Sequence, residues 1–434
     1  MNKNEESSHT AQPTDTTETE PGSEPTGLRR VFMRSGLLQS LLLPALAVFT
    51  ALVIGAVIIA ASDPEVLSAW RGFFQSPFTA ISTTWYAVFD AYISLFEGSF
   101  GNPARMVQGF ASWITTGQSR PLLDALRPVG ESLVITTPYI FAGLSVALAF
   151  RGGLFNIGVE GQLFVGGLAA AFVGYSITGL PWIIHLPLAM LAGVAAGAVW
   201  GAIPGLLKAK TGAHEVINTI MMNYLAFRLT DFMLQGGPMT REDGLPITPE
   251  IKPSAYLPAL LPRPVRLHAG FFVALAVAAL VYWFLWKTAQ GFEIRMVGAN
   301  PRGARYAGVH TTRTMVLTMA LSGALGGLAG ANQVLGLDHR MVRAFSTGYG
   351  FDSIALALLG NNHPVGVVFS SLLFGFLRGG AARMQSVAGV PSEIIRIVQG
   401  LVILFVAAPE VIRGIYRLKS VRAGEAIHVR GWGS

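Results

Sequence analysis

The chain has 434 residues, 52% hydrophobic and 13% charged, about half the roughly 25% charge of soluble domains, which excludes a water-facing globule. Its net charge of +7 hides an asymmetry, because residues 1–27 carry six acids and one lysine, leaving about +12 on the remainder. Lipid headgroups and a positive cytoplasmic face account for that charge more economically than nucleic acid does, and the absence of cysteine excludes disulfides, thiolate metal sites and cysteine nucleophiles.

Residues 1–27 are rich in Thr, Ser, Glu and Pro, bury little apolar surface and read as a disordered acidic tail. Arg29, Arg30 and Arg34 then precede an apolar run from Leu37 to Ala61, long enough for a hydrocarbon core of about 30 Å. RRVFMRSG faintly resembles a twin-arginine export signal. The apolar run is longer than that of a cleaved signal, however, so an uncleaved first span is expected.

Further apolar segments fall at about 132–150, 162–178, 182–205, 214–234, 268–286, 314–336, 350–360, 365–380 and 394–410. The expected fold is therefore all-α and polytopic, with about ten transmembrane helices, two of them short or broken, in a transmembrane domain over 28–410. A basic cytoplasmic tail over 411–434 follows. With the N-terminus inside, Arg151, Lys208, Lys210, Lys287, Arg295, Arg302, Arg305, Arg313, Arg413 and Arg417 lie on the cytoplasmic side, mostly in short segments where the charge rule is strong. Both termini are thus expected in the cytoplasm, with 62–131 and 235–267 as external loops. Phe78–Phe96 reads as an interfacial or re-entrant helix, because one more crossing would expel the basic 287–313 segment.

Gly193, Gly197, Gly201 and Gly205 recur every four residues on one helix face, and Gly323, Gly327 and Gly326, Gly330 form a second small-residue surface. Such stripes let backbones approach closely and are read as packing.

Three polar stretches lie at membrane depth, where polarity costs free energy that structure or function must offset. RGGLFNIGVEGQ, Arg151–Gln162, breaks helicity with four glycines and presents Asn156, Glu160 and Gln162; it is either a pathway lining or a buried, hydrogen-bonded turn. In TGAHEVINTIMMNYLAFR, Glu215, Asn218 and Met222 share a helix face with Asn223 adjacent. Glu215 suits an interfacial position, and the deeper Asn218 and Asn223 suit a pathway or an interhelical hydrogen bond. In GYGFDSIALALLGNNHPVG, Gly348–Gly366, Asp352 falls in the first turn of a short helix, where a carboxylate complements the N-terminal dipole. Gly-broken polar elements in two halves of a chain point to a solute site at a repeat interface.

Between two spans lies GFEIRMVGANPRGARYAGV, Gly291–Val309, a polar, basic insert within 287–313 that is long enough for a short helix on the membrane face. A docking role for it fits the lack of any GxxxxGK[ST] phosphate loop, since energy would have to come from a partner. His214 and Glu215 begin an HExxH-like string, but its fifth position is Asn218, so the zinc face is absent. No catalytic or metal residues are assigned.

FRGGLFNIGVEGQ, HEVINTIMMNYLAF, VGANPRGARYAGV and GYGFDSIALALLGNNHPVG, in that order over roughly 130–410, resemble the permease subunits of bacterial nucleoside ABC importers. These lie within the ribose and branched-chain amino acid permease group. The resemblance implies a multi-pass protein of the bacterial cytoplasmic membrane that binds no cofactor itself. Its implied partners are a second permease, similar or identical, a cytosolic ATPase holding ATP and Mg2+, and an extracytoplasmic substrate-binding lipoprotein. It implies an ATPase-docking role for Gly298, Asn300, Arg302, Ala304, Tyr306 and Gly308, and a pathway role for Asn156, Glu160, Gln162, Asn218, Asn223 and Asp352. An ion-gradient-driven secondary transporter is the alternative, disfavoured by the lack of a carboxylate and histidine relay in the spans.

Overall fold

Proline after a short polar residue starts helices repeatedly in this chain, because its fixed φ suits the first turn and its missing N–H is not needed there. Asp63 precedes α2 (Pro64–Arg71), Ser76 precedes α3 (Pro77–Phe100) and Asn102 precedes α4 (Pro103–Thr116). The Asp63 carboxylate accepts from the N–H groups of Glu65 and Val66, and the Asn102 amide oxygen from those of Ala104 and Arg105. The stretch 62–131, expected as an external loop, is therefore largely helical, since these starts act where no single long apolar run exists.

The computed structural model describes residues 36–417. The tail expected at 1–27 lies outside the described residues, as do Arg29, Arg30 and Arg34 and residues 418–434 of the tail expected at 411–434, with Lys419, Arg422 and Arg430, whereas 411–415 are helical. Around the first helices, α1 (Gly36–Ser62) precedes α2, and α5 (Arg120–Arg151), α6 (Val159–Ser176), α7 (Trp182–Thr211) and α8 (Glu215–Leu234) follow α4. The second half holds α9 (Gly270–Lys287), α10 (Ala289–Ala299), α11 (Pro301–Tyr306), α12 (Thr311–Gln333), α13 (Tyr349–Leu359), α14 (Pro364–Ala388), α15 (Ser392–Ala407) and α16 (Pro409–Ile415). A π-helical turn, Val334–Asp338, extends α12.

Among the described residues, six helices are long and apolar enough to cross a membrane: α1, α5, α7, α9, α12 with its extension, and α14. A seventh span arises if α15 and α16, bent by 90° at their junction, act together. The ten expected spans are not all of that kind, for a reason visible in the side chains. Helices α6 and α8 have 18 and 20 residues but carry Glu160 and Gln162, and Glu215, Asn218, Asn223, Arg228 and Asp231. With 11 residues, α13 is about 16 Å long, half a bilayer core. The centre of the bundle is α5 and α12, whose most apolar windows are 83% and 67% buried, whereas those of α7 and α9 are each 28% buried and leave apolar faces outward.

Phe78–Phe96 forms the body of α3, which packs antiparallel to α14: Ser99 donates to the Phe376 carbonyl at 2.6 Å and Arg383 pairs with Glu97 at 2.6 Å. Because α5 also runs antiparallel to α14, with Gly375 against Thr136 and Val367 against Gly143, α3 and α5 point the same way. The intervening α4 returns the chain along α5.

The two glycine stripes meet each other. A Cβ added at Gly197 would lie 2.7 Å from the Gly327 Cα, one at Gly201 2.9 Å from the Gly323 Cα, and one at Gly193 2.7 Å from the Ala331 Cβ. Helices α7 and α12 thus touch backbone to backbone, which only a small-residue face permits.

The segment 235–269 is irregular apart from a short turn at Pro253–Ala255 and lies over the ends of α6 and α12. Lys252 donates to the Gly174 carbonyl, Ile251 to that of His339 and Leu257 to that of Leu335, at 2.9, 2.9 and 3.0 Å. His268 is buried beneath it, with Nδ1 accepting from the Gly270 N–H. Burial, helped by His339, pushes its pKa down to about 4.

Two outcomes follow. Gly327→Val should destabilise the fold by about 1–3 kcal/mol through overpacking, read as a lower thermal midpoint in detergent, while Gly400→Ala, where a Cβ meets nothing within 4 Å, should not. The depressed His268 pKa means that the unfolded chain takes up a proton the fold refuses, so stability present above pH 6.5 should fall between 6.5 and about 4. Melting curves across that window should show the fall, and His268→Gln should flatten it.

Candidate translocation site

At the end of α5 the helix closes on Gly152, and Gly153 takes φ 70°, a left-handed turn that glycine adopts without strain. In the irregular stretch 152–158, Gly152, Leu154, Asn156 and Gly158 are buried, and buried backbone groups have to find partners within the protein. Leu154 donates to the Ala149 carbonyl at 3.0 Å, Asn223 Nδ2 of α8 donates to the Ile157 carbonyl at 2.9 Å, and its Oδ1 accepts from the Gly161 N–H at 2.8 Å. Thr219 Oγ1 accepts from the Ile157 N–H.

Asn156 is fully buried and works inward. Its Oδ1 accepts from the Gly158 N–H at 2.9 Å, and its Nδ2 donates to Gln162 Oε1 at 3.0 Å and to Ser322 Oγ at 2.8 Å. Ser322 and Ser145 exchange hydrogen bonds with each other's carbonyls at 2.7 and 2.6 Å. Of the two readings open for this stretch, the buried, hydrogen-bonded turn describes Asn156, Gln162 and Asn223. Asn218 stands apart, half-buried, with no hydrogen-bond partner for Nδ2 among the described residues. Glu215, expected to reach water, is buried and paired with Lys208 at 3.0 Å.

Glu160 connects this network to the second broken element. It sits in the first turn of α6, and its carboxylate accepts from the Gly350 N–H in the first turn of α13 at 2.6 Å. Two helix N-termini converge on one carboxylate, and both dipoles stabilise its charge. The carboxylate that accepts from the α13 N-terminus is therefore Glu160, not Asp352.

Asp352 turns instead toward α5 and α14. Its Oδ2 accepts from the Tyr139 hydroxyl at 2.6 Å and from Arg378 at 3.0 Å. Arg378 also bonds the Tyr139 hydroxyl and the Thr347 carbonyl, and its guanidinium lies 5.4 Å from the Tyr349 ring centroid. The Asp352 and Arg378 side chains are 39% and 23% exposed, which makes this pair the open polar part of the site. Arg378 was missed from sequence, although a solitary arginine inside the apolar stretch 365–380 is itself a signal. Tyr139, Ser145 and Ser322 gave none, since each reads as ordinary packing.

At the far end of the bundle, the insert expected to hold one short helix holds two. Asn300 ends α10 and caps α11, its side chain accepting from the Gly303 N–H at 3.0 Å. Ala304 is buried, Gly308 takes φ 85°, and Gly298 presses on the backbone of Gly153. Those four hold the element in place, whereas Arg302 is exposed and Tyr306 is 95% exposed. No cluster of three or more His, Asp or Glu able to hold a metal occurs among the described residues.

Residues 129–407 match the family described as branched-chain amino acid transport system / permease component. The chain belongs to that family. The guanosine ABC transporter permease protein of Bacillus subtilis is 43% identical over 333 residues, covering 76% of this chain and 88% of the relative. The glucose ABC transporter permease protein of Haloferax volcanii is 36% identical, covering 69% and 80%. The nucleoside ABC transporter permease protein of Lactococcus lactis is 34% identical, covering 71% and 87%. No solved structure matches. This chain is thus an integral membrane permease subunit of an ABC transporter, a transport component rather than an enzyme. Permeases of this class work with a separate ATPase and a solute-binding protein.

In this permease, Asp352→Asn and Arg378→Gln should each lower the thermal midpoint, and the double variant should lose less than the sum. The coupling should be about 1–2 kcal/mol, because each single change strands a charge the other neutralised; additivity in the double-mutant cycle would show that the pair is not coupled.

Proposed function

We propose that this permease forms half of the path by which a nucleoside, or a related sugar-containing solute, enters the cell, and that α11 docks the ATPase that drives it. The observation carrying the docking is Tyr306, a large aromatic held almost fully in solvent at the end of a short helix whose base is fixed by Asn300, Ala304 and the contact of Gly298 with Gly153. Exposed aromatic and arginine side chains on a rigid element suit a protein interface, where such residues dominate binding. The relatives named for guanosine and nucleosides support the solute class, and the one named for glucose supports its sugar part.

The basic residues of 287–313 support placing α10 and α11 on the cytoplasmic side, with both termini there and the segment 235–267 outside, facing a substrate-binding lipoprotein. A second permease, identical or similar, completes the path. ATP and Mg2+ stay in the ATPase. Asp352 and Arg378 are the pathway groups, with Glu160 holding the helix that carries Asp352, while Asn156, Gln162 and Asn223 build the wall behind them and Asn218 remains a pathway candidate.

Replacing Arg302 and Tyr306 together by Ala should reduce co-purification of the ATPase by about tenfold or more and uptake in parallel, with the permease still folded. Unchanged assembly and uptake would remove the docking role. Reconstituted complex should take up labelled guanosine only with ATP inside, and uptake by this chain alone under a proton or sodium gradient would instead establish secondary transport.

A further inference from the structure

Arg151 ends α5 and joins three elements that are separate in sequence. Its Nε donates to the Asn362 carbonyl at 2.9 Å and its Nη2 to the Asn361 carbonyl at 3.0 Å. Both asparagines take left-handed φ, 52° and 51°, a conformation that asparagine tolerates better than most residues with a Cβ and that suits a tight turn. Together they form the turn between α13 and α14. The same guanidinium lies 5.4 Å from the Trp286 ring centroid on α9, and Arg295 of α10 lies 5.8 Å from that ring. Arg295 in turn donates to the Leu285 carbonyl at 2.9 Å, which ties α10 back onto α9.

The helix whose end Arg151 grips is α13, and its opposite end carries Gly350, bonded to Glu160, and Asp352, paired with Arg378 and Tyr139. At 11 residues it is a rod about 16 Å long between the α10–α11 end of the bundle and the open polar pair. At the latter end Tyr139 of α5 bonds both Asp352 and Arg378.

We infer that Arg151 is a positioning residue that ties α13 to the α9–α10 unit, so that displacement of α10 and α11 by an ATPase moves α13 and with it Asp352 relative to Arg378. This rests on the ATPase-docking role proposed above. Arginine suits the task because its planar fork reaches two adjacent carbonyls while its face stacks on an indole, which an ammonium cannot do at once.

The test uses the complex of both permease halves with the ATPase in liposomes, with the substrate-binding protein supplied outside, measuring ATP hydrolysis and labelled guanosine uptake in the same vesicles. Arg151→Gln should leave assembly and ATP hydrolysis within about twofold of wild type and cut uptake per ATP by about tenfold, equivalent to about 1.4 kcal/mol of coupling. Arg151→Lys should recover only part of that ratio, and it decides the matter if the glutamine variant fails to assemble. A wild-type ratio of uptake to hydrolysis in Arg151→Lys and Arg151→Gln overturns the inference, as does a parallel fall of both activities in Arg151→Lys with its melting temperature unchanged. A wild-type complex that imports guanosine without hydrolysing ATP overturns the docking reading itself, and this inference with it.

Discussion

Buried non-helical backbone has to find its hydrogen bonds within the protein, and residues 152–158 hold four such buried positions, Gly152, Leu154, Asn156 and Gly158. An unsatisfied peptide group in hydrocarbon costs several kcal/mol. Asn156, Asn223 and Thr219 are committed to that backbone, which fixes α8 against the start of α6. With those side chains engaged, the polarity left open at the second broken helix is the Asp352–Arg378 pair, with Asn218 of α8 apart from it.

The glycine contact between α7 and α12 serves the same junction. Close approach of α12 brings Ser322 within 2.8 Å of Asn156, and it leaves so little room that a Cβ at Gly326 would lie 2.9 Å from the Gln162 Cβ. A stripe that looks like packing alone therefore sets the geometry of the polar network. Pairing through small residues is the form close packing takes in lipid, where burying apolar surface supplies no driving force between helices.

The two ends of the bundle are related by contact and not by sequence proximity. Gly298 touches Gly153 seven residues before Glu160, and Arg151 holds the far end of the half-length helix that Glu160 meets. The solvent-exposed Tyr306 of α11 is thus linked to the polar pair through contacts of α10 with Gly153 and of Arg151 with the end of α13.

Much of this was legible in the chain itself. An all-helical membrane protein followed from composition and long apolar runs, the glycine faces from their spacing of four, and the separate helical element within 291–309 from its length and polarity between two spans. Less was legible where a signal depends on partners far away in sequence. The helices within 62–131 rest on capping residues instead of long apolar runs, and among the described residues six of the ten expected spans are helices long and apolar enough to cross, whereas α6, α8 and α13 are more polar or shorter. Residue type marked Asn156, Glu160, Gln162, Asn223 and Asp352 as notable, but only tertiary structure separated them. Whether a buried amide holds backbone or faces an opening is decided by which groups lie within about 3 Å of it, and here those groups come from α5, α8, α12 and α14, up to 213 residues away.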